Sequence, residues 1–434
     1  MESVNVELCT KSSNNKKIRN ILGMNNSPRI KSNAKIPLEK EYFEKLRIKC
    51  VRHHDAAIEN PSFELIDIHR IFPFAHLDEN DDRNYFFDQT DDYLALIADT
   101  DIELEFRLGE TIDHSSCARL IQPWEDINKW ARVCKKIIDH YKKSEKCGLK
   151  LNLTRVCVWE EPDNHRLFAG DVYQYCALFS AVYKLVKKDY PDISVGGPAL
   201  MGNIDFLKIF IETAIKNDTV PDFISFNVYT RSIDYMARAV RERSEILNSF
   251  GLYDTKLEIS EWHLGPLEWE LNDNALIEGF DNAKSAAYCT YSLTALQDEE
   301  RVETAFYYAW ATSIWSVSYM NNLAFTLRPA YYGLLLFQRL GAECADRVDL
   351  NFDECANVKF LAGKTTDGKT RLLISCYEKE ETEFKIKIGK SDATLYFVTD
   401  EECNTEIGKY LKSDESGNVV VYHKCENGVY LLEF

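Results

Sequence analysis

Two glutamates that follow apolar runs are the residues best placed to do chemistry. Glu161 lies in the segment 159–162, which reads W-E-E-P, and Glu261 lies in the segment 260–263, which reads S-E-W-H. Two carboxyl groups, one neutral and one ionised, can divide proton donation and nucleophilic attack between them, and sugars stack on nearby aromatic rings. The two segments therefore favour glycoside hydrolysis, provided that the fold brings their carboxyl groups to one site.

Short apolar, β-branched runs alternate along the chain with longer segments of helical period, which is typical of a parallel sheet with crossover helices. Eight such runs predict a (β/α)8 TIM barrel, in which active sites lie at the carboxyl ends of the strands. Glu161 then ends the fourth strand and Glu261 the seventh, so the two face each other across the barrel mouth. The predicted strands are 21–24, 49–54, 102–108, 153–159, 193–197, 223–228, 256–260 and 305–310.

Amphipathic segments separate these runs and predict the crossover helices. Apolar residues recur at three- and four-residue intervals over 127–141 and again over 175–186. The second segment stops before Pro191, where a helix cannot continue. A further helix is predicted over 330–340.

The sequence after residue 340 predicts an accessory antiparallel β-sandwich, because short alternating runs are separated by turn signals. We place Asp367-Gly368 and Asn427-Gly428 in hairpin turns, and we expect the run 4–8 to join this domain as an edge strand. The predicted domains are a barrel at 18–341 and a β-sandwich at 342–434, joined by the N-terminal segment 1–17. The predicted strands of the second domain are 371–377, 383–388, 394–398, 419–422 and 429–434.

The composition excludes several classes of partner. The 434 residues include 52 basic and 70 acidic ones, and the net charge of −18 would repel nucleic acid and anionic membranes. No apolar run is long enough to cross a bilayer, and residues 1–17 do not resemble a signal peptide. The 13 cysteines include no C-x-x-C pair, so we expect neither a zinc site nor a disulfide framework. These features predict a cytoplasmic protein.

The strand-end segments together resemble glycoside hydrolase family 39 of clan A, the group of retaining β-xylosidases and α-L-iduronidases. In that family strand four ends W-N-E-P and strand seven ends T-E-W or S-E-W. Further matches are the V-R-H-H-D segment that contains Arg52 and His54, and the segments 196–198, 222–226 and 329–333. The resemblance implies a (β/α)8 barrel with a terminal β-sandwich, Glu161 as general acid/base and Glu261 as nucleophile.

Two residues depart from the family pattern near the sugar-binding subsite. The family has Asn where this chain has Glu160, and it commonly has His where this chain has Asn227. A carboxylate accepts hydrogen bonds but donates only when protonated, so a contact to the sugar 2-hydroxyl is altered. We expect Glu160 to reach the sugar; the alternative is that it pairs with Arg52 or Arg155 in the barrel wall. The segment 310–315 also lacks the acidic residues that xylosidases carry there.

Three further strand-end residues are expected to support the site. Arg52 and His54 could bind sugar hydroxyls or orient Glu261, and Tyr229 could hydrogen-bond a catalytic carboxylate. The alternative for each is an internal bond that satisfies a polar group at a strand end. Alternation along the strand places His53 on the opposite face, where we expect it to pack against a helix.

Trp262 and Trp310 could form the platform on which a sugar stacks, although tryptophan also fills barrel cores. The adjacent carboxylates of Glu160 and Glu161 could suggest a metal site, but neighbouring side chains on a strand diverge unless a bulge intervenes. We therefore expect no metal and no cofactor. Four further acids are expected to be solvated loop residues: Asp55, Glu110, Glu268 and Glu270.

These observations and the resemblance predict a retaining exo-glycosidase that releases a terminal sugar from small plant-type oligosaccharides or glycosides, with β-xylosidase as the first expectation. The alternatives are a β-galactosidase, a β-glucosidase, an α-L-arabinofuranosyl-releasing enzyme, or a catalytically silent carbohydrate-binding relative. The expected partner is the sugar substrate, without nucleic acid or membrane. The resemblance also allows a homo-oligomer.

Overall fold

A computed structural model of the chain describes residues 1–9, 16–28, 37–54, 65–111, 121–265, 279–310, 316–320, 325–389 and 391–434. The strands, in chain order, are β1 Glu2–Leu8, β2 Leu22–Asn25, β3 Cys50–His53, β4 Glu103–Leu108, β5 Asn152–Val158, β6 Ser194–Leu200, β7 Phe223–Thr230, β8 Lys256–Leu264, β9 Val302–Tyr307, β10 Ser318–Met320, β11 Phe325–Leu327, β12 Asp346–Val348, β13 Leu350–Phe352, β14 Val358–Lys364, β15 Thr370–Cys376, β16 Thr382–Lys387, β17 Ala393–Thr399, β18 Cys403–Leu411, β19 Asn418–His423 and β20 Gly428–Glu433. The α-helices are α1 Pro37–Lys45, α2 Ile68–Ile71, α3 Asp88–Leu94, α4 Ile127–Lys142, α5 Ser144–Cys147, α6 Val172–Asp189, α7 Ile204–Lys216, α8 Tyr235–Ser249, α9 Ala283–Ala295 and α10 Pro329–Gly341.

Strands β2 to β9 close into a barrel in which each strand runs parallel to its neighbours. The barrel closes between β2 and β9, where Met24 pairs with Tyr307. Almost every residue of these strands is buried, as expected for parallel strands that are covered on both faces. The (β/α)8 barrel and its eight strands are therefore confirmed, although β8 continues four residues beyond its predicted end at residue 260.

The predicted crossover helices are present and are capped by residues that the sequence supplies. The side chain of Asp126 accepts a hydrogen bond from the backbone of Lys129 at the start of α4, and Asp171 and Gln174 form a capping box at the start of α6. Helix α6 ends at Asp189, before Pro191, and α10 begins with a proline in its first turn. Each cap satisfies backbone groups that the helix itself leaves unpaired.

The accessory domain is a β-sandwich of two sheets. One sheet has the strand order β13-β1-β16-β19 and the other the order β12-β14-β15-β20-β17-β18. Buried side chains from both sheets meet in a second apolar cluster, separate from the barrel core; Val6, Ile374, Phe384 and Leu432 are examples. The Asp367-Gly368 hairpin between β14 and β15 is confirmed, and Gly368 has the positive φ that the turn requires.

Two predictions for this domain are wrong. Strand β1 does join the β-sandwich, but it lies between β13 and β16 and pairs parallel to β16, so it is not an edge strand. Asn427-Gly428 is not a hairpin turn, because β19 and β20 belong to different sheets. Strands β12, β13, β14 and β18 were not predicted.

Contacts join the second domain to α9 and α10 of the barrel. Ser375 donates a hydrogen bond to Thr290 at 2.7 Å between the two hydroxyl oxygens, and Arg371 donates to the carbonyl of Arg339 at 2.7 Å. The exact division at residues 341 and 342 stays a prediction. Among the described residues, we find no helix with the length and apolar character needed to span a membrane.

Candidate active site

A left-handed turn after β5 brings two adjacent carboxylates to the barrel mouth. Trp159 and Glu161 both have positive φ, at 68° and 40°, which is uncommon for residues other than glycine. As a result Glu160 and Glu161 do not diverge as side chains on a regular strand would. Both accept hydrogen bonds from the amide of Asn227, at 3.1 and 2.8 Å. Such strained backbone is often found at functional sites.

A β-bulge in β8 brings Glu261 to the same mouth. The pairing of β8 with β7 passes from Ile259 directly to Glu261 and leaves out Ser260. One extra residue reverses the alternation of side chains, so Glu258 and Glu261 lie on the same face although they are three residues apart. The same bulge directs Trp262 to the outer face of the strand.

Glu161 is held as a proton donor. Its carboxyl oxygens accept hydrogen bonds from Asn227 at 2.8 Å and from Asn164 at 2.9 Å. Burial, and then the negative charges of Glu261 and Glu160, raise the pKa of Glu161 to about 8. The carboxyl group is therefore mostly protonated at neutral pH.

Glu261 is held in the opposite state. Its Oε2 accepts a hydrogen bond from the hydroxyl of Tyr229 at 2.5 Å, and its Oε1 lies 2.9 Å from Nε2 of His54 and 3.5 Å from Nη1 of Arg52. Burial opposes ionisation, but His54, Arg52 and the Tyr229 hydroxyl outweigh it and hold the pKa of Glu261 well below its usual range. The ionised carboxylate is thus available as a nucleophile.

Arg52 connects the charged groups of the site. Its Nε donates a hydrogen bond to Glu105 at 3.1 Å and its Nη1 donates to the side chain of Asn25 at 3.0 Å. Its Nη2 donates to Glu160, and Nη1 also lies within 3.5 Å of Glu261. The pairing of Glu160 with Arg52, stated above as the alternative, is therefore present. A direct contact of Glu160 with the sugar stays a prediction.

Asn227 is oriented by the bulged residue. The hydroxyl of Ser260 donates to Oδ1 of Asn227 at 2.7 Å, which leaves the amide nitrogen directed at Glu160 and Glu161. Where the family commonly has His, this chain thus has a neutral group that donates to both carboxyl groups at once.

Two predicted platform residues are not in the mouth. Trp262 is fully buried with its ring 6.2 Å from that of Tyr288 on α9, and Trp310 is fully buried with its ring 4.9 Å from that of Phe43 on α1. Both tryptophans fill the core between barrel and helices, so their assignment to substrate binding is wrong. His53 packs on Tyr93 of α3 with ring centroids 4.6 Å apart, as predicted.

Tyr308 is a second aromatic residue, beside Tyr229, that the structure places at the site. It follows β9, is partly exposed, and its ring centroid lies 5.8 Å from that of His54 and 6.1 Å from that of Tyr229. Tyr308 was not predicted, because the strand was expected to end at Trp310. Asn25 and Asn164 were not predicted either: Asn25 ends β2, where a strand-end residue could have been expected, and the sequence gives no signal for Asn164.

The described residues include two groups of side chains with the spacing of metal ligands. In the first, His54, Glu160 and Glu261 have ligand atoms within 4.8 Å of one another, but the guanidinium of Arg52 already supplies a positive charge to both carboxylates. The guanidinium of Arg52 is thus a positive group that these two carboxylates share.

The second group is Asp67, His69 and Glu110. Asp67 accepts hydrogen bonds from Arg107 and Thr111, and Glu110 accepts from His69, whose Nδ1 lies 2.5 Å from it. Glu110 is buried, so the expectation that it is a solvated loop acid is wrong. Asp55, Glu268, Glu270 and the segment 311–315 lie outside the described residues.

The structure brings seven of the nine predicted site residues together at the barrel mouth: Arg52, His54, Glu160, Glu161, Asn227, Tyr229 and Glu261. Hydrogen bonds or ion contacts link all seven. The arrangement combines a protonated carboxyl group with an ionised one, which suits a reaction that needs an acid and a nucleophile.

The chain is similar to known proteins both in sequence and in fold. The model of glycosyl hydrolases family 39 matches residues 13–252, more than half of the chain. A β-xylosidase from Geobacillus stearothermophilus is 27% identical over 113 residues, which are 25% of this chain and 22% of that protein's length. The match thus spans about a fifth of the relative.

Two solved structures share the whole fold. A glucosidase from Croceicoccus marinus has a TM-score of 0.76 at 19% identity, covering 100% of this chain and 98% of that one. A monomeric β-xylosidase from Caulobacter crescentus CB15 has a TM-score of 0.70 at 14% identity, covering 100% and 99%. At such identities the likeness shows the fold alone. The sequence match to the family model, on this barrel, shows that the chain belongs to glycosyl hydrolase family 39.

Proposed function

We propose that the chain is a retaining exo-glycosidase with a β-xyloside as substrate, in which Glu161 is the general acid/base and Glu261 the nucleophile. The observation that supports this assignment is the difference in protonation between the two groups. The pKa of Glu161 is raised to about 8 by burial and by its charged neighbours, whereas three hydrogen-bonding or charged partners lower that of Glu261. A double displacement requires that division.

In the first step the carboxylate of Glu261 attacks the anomeric carbon while Glu161 gives its proton to the departing glycosidic oxygen. The bond to the leaving group breaks and an ester to Glu261 forms. Arg52 and His54 stabilise the carboxylate before attack, and Tyr229 holds its second oxygen. Asn227 and Asn164 fix the orientation of the acid.

In the second step water replaces the leaving group. Glu161, now ionised, accepts a proton from water as the water oxygen attacks the anomeric carbon, and the ester to Glu261 breaks. Glu261 leaves as a carboxylate and Glu161 has regained its proton. The pKa of Glu161 must fall between the two steps, and loss of the negative charge on Glu261 in the ester produces that fall.

The proposed sugar rests on the relatives. Proteins called β-xylosidases occur both among the sequence matches and among the similar structures. Glucosidase is the second candidate, because the Croceicoccus marinus structure with the TM-score of 0.76 carries that name. A β-galactosidase and an α-L-arabinofuranosyl-releasing enzyme remain further alternatives.

A catalytically silent carbohydrate-binding relative is the alternative from another class. It is disfavoured because the contacts of Glu161 and Glu261 create the unequal protonation that catalysis uses and that sugar binding alone does not need. We further propose a cytoplasmic location, which the free thiols of the twelve described cysteines support.

A panel of nitrophenyl glycosides tests the proposed function. We expect hydrolysis of the β-xyloside with the highest kcat/KM, weaker activity on the β-glucoside, and none on α-xyloside. A highest kcat/KM on β-glucoside, β-galactoside or α-L-arabinofuranoside would replace the proposed sugar and keep the mechanism. Failure to hydrolyse every member, by a protein that still binds xylo-oligosaccharide in calorimetry, would support the silent relative.

A further inference from the structure

Four charged side chains occupy the interior of the barrel. They are Arg52 of β3, Glu105 of β4, Arg155 of β5 and Glu258 of β8, and each is at most 3% exposed. Barrel interiors are normally filled by branched apolar side chains, and a buried charge is costly unless it is paired and hydrogen-bonded. The contacts among these four side chains therefore call for an explanation.

The four side chains form a continuous row that ends at the active site. Nε of Arg52 donates to Glu105 at 3.1 Å, and Nη1 of Arg155 donates to Glu258 at 3.5 Å. The remaining oxygen of each carboxyl group, Oε2 of Glu105 and Oε1 of Glu258, is buried and accepts from no donor, and the two side chains are within hydrogen-bonding reach of each other. At the other end of the row, Nη1 of Arg52 lies 3.5 Å from Glu261.

The hydrogen bond between the two carboxyl groups requires a proton, because an ionised carboxylate only accepts. Burial, and then the charge of Glu105, raise the pKa of Glu258 well above its usual range against the opposing effect of Arg155. The thiols of Cys50 and Cys157 also face this pair, and burial raises the pKa of both, so they remain neutral. Glu258 is therefore the donor and Glu105 the acceptor.

Although Glu258 is neutral, Arg52 and Arg155 each keep an ionised partner. Arg155 also lies 2.8 Å from Glu303 and 3.6 Å from Glu103, two carboxylates near the amino ends of their strands. Arg52 has Glu105 at its Nε, so its two terminal nitrogens are free to contact Asn25, Glu160 and Glu261. Fixing one edge of a planar guanidinium fixes the direction of the other edge.

We propose that Glu105 is a positioning residue for Arg52 and that neutral Glu258 holds Glu105 in place by donating a hydrogen bond to it. The pair thereby sets how the guanidinium of Arg52 meets Glu160 and Glu261. The inference rests on the proposed function, since it assigns to Arg52 a part in preparing the nucleophile.

Infrared spectroscopy of the whole protein, without substrate, tests whether the pair of Glu105 and Glu258 holds a proton. At a pH above the value of about 8 for Glu161, the parent should still show the carbonyl band of a protonated carboxyl group. The difference spectrum between the parent and Glu258→Gln should assign that band to Glu258. Glu433→Gln is the matched control, because Glu433 is ionised beside Arg371 and should give no such band. If the parent shows no such band, Glu258 is not protonated and the proposed hydrogen bond to Glu105 is wrong.

Kinetics of three variants test the positioning role. Glu105→Gln removes the charge that holds Nε of Arg52, and we expect kcat/KM to fall about tenfold to a hundredfold as misplaced groups do. The acid limb of its kcat/KM profile should also move to higher pH, because Arg52 lowers the pKa of Glu261 and would no longer be held in place. Glu258→Leu should show a similar loss of activity, and Glu258→Gln, whose amide can donate to Glu105, should recover most of it.

A merely structural pair would give a different pattern. Lower melting temperatures for Glu105→Gln and Glu258→Leu, with kcat/KM and pH profile as in the parent, would overturn the positioning role. If a variant fails to fold, the band of the parent still decides whether the proton is shared. If the parent hydrolyses no glycoside, the proposed function fails while the infrared result still decides the state of the pair.

Discussion

On a dinitrophenyl β-xyloside, Glu161→Ala should retain appreciable turnover, because this leaving group departs without a proton. On an unactivated xyloside the same variant should lose about 10²- to 10⁴-fold in kcat, the usual contribution of a general acid. Added azide should accelerate the variant on the activated substrate and give a β-xylosyl azide, since the space left by the carboxyl group admits a small nucleophile. Product analysis by NMR measures both effects.

Glu261→Ala should lose activity on both substrates and should not yield the β-xylosyl azide, because no ester can form. Glu433→Ala, in the accessory domain, is the control and should behave as the parent. Equal losses for Glu161→Ala and Glu261→Ala on the dinitrophenyl substrate would show that the assigned roles are wrong.

The second large effect is expected from Glu160→Gln. The amide keeps the volume but has one acceptor oxygen where the carboxylate uses two, so it can accept from Arg52 or from Asn227 but not from both. It also removes one of the buried charges that surround Arg52. A buried donor that loses its acceptor costs about 1 to 3 kcal/mol, so we expect a loss on the order of 2 kcal/mol in the free energy of unfolding. The loss should stay below that of a buried charge without any partner, because Glu105 and Glu261 still face the guanidinium.

The pH profile of Glu160→Gln should change as well. The negative charge of Glu160 helps to raise the pKa of Glu161 to about 8, so its removal should move the alkaline limb of kcat/KM to lower pH. The sign follows because Glu161 is active as an acid only when protonated, and a lower pKa deprotonates it earlier as pH rises. Glu433→Gln should leave the profile unchanged.

An alkaline limb identical to that of the parent would contradict this role of Glu160, because it would mean that Glu160 carries no charge near the acid. Sugars that differ at the 2-hydroxyl test the separate prediction that Glu160 also contacts the sugar. A changed preference in Glu160→Gln would support that contact, and an unchanged one would leave Glu160 bound to Arg52 and Asn227 alone.

The barrel was predictable because strands covered on both faces are continuous apolar runs, and eight of them alternate with helical segments. The second domain was less predictable. Strand β18 has mostly exposed or half-buried residues, so it lacks the apolar pattern of a buried strand. The parallel pairing of β1 with β16 joins segments almost 400 residues apart, which no local signal can indicate.

The catalytic pair was predictable from its motifs, but its surroundings were not. Side-chain direction depends on the positive φ values at 159 and 161 and on the bulge at Ser260, and neither leaves a glycine as a marker in the sequence. These features decide that Glu160 meets Arg52 and that Trp262 faces α9 rather than the mouth. Residue type alone gave tryptophan the role of sugar platform, and the geometry offers Tyr308 instead.

Trapping of the covalent intermediate tests the central claim most directly. A dinitrophenyl 2-deoxy-2-fluoro-β-xyloside should inactivate the enzyme with release of one dinitrophenolate per chain, because the fluorine slows hydrolysis of the ester more than its formation. Peptide mapping by mass spectrometry should then place a single 2-fluoroxylosyl group on Glu261. A label on another residue, or steady turnover of β-xylosides with inversion at the anomeric carbon and no label at all, would contradict the assignment of Glu261 as nucleophile.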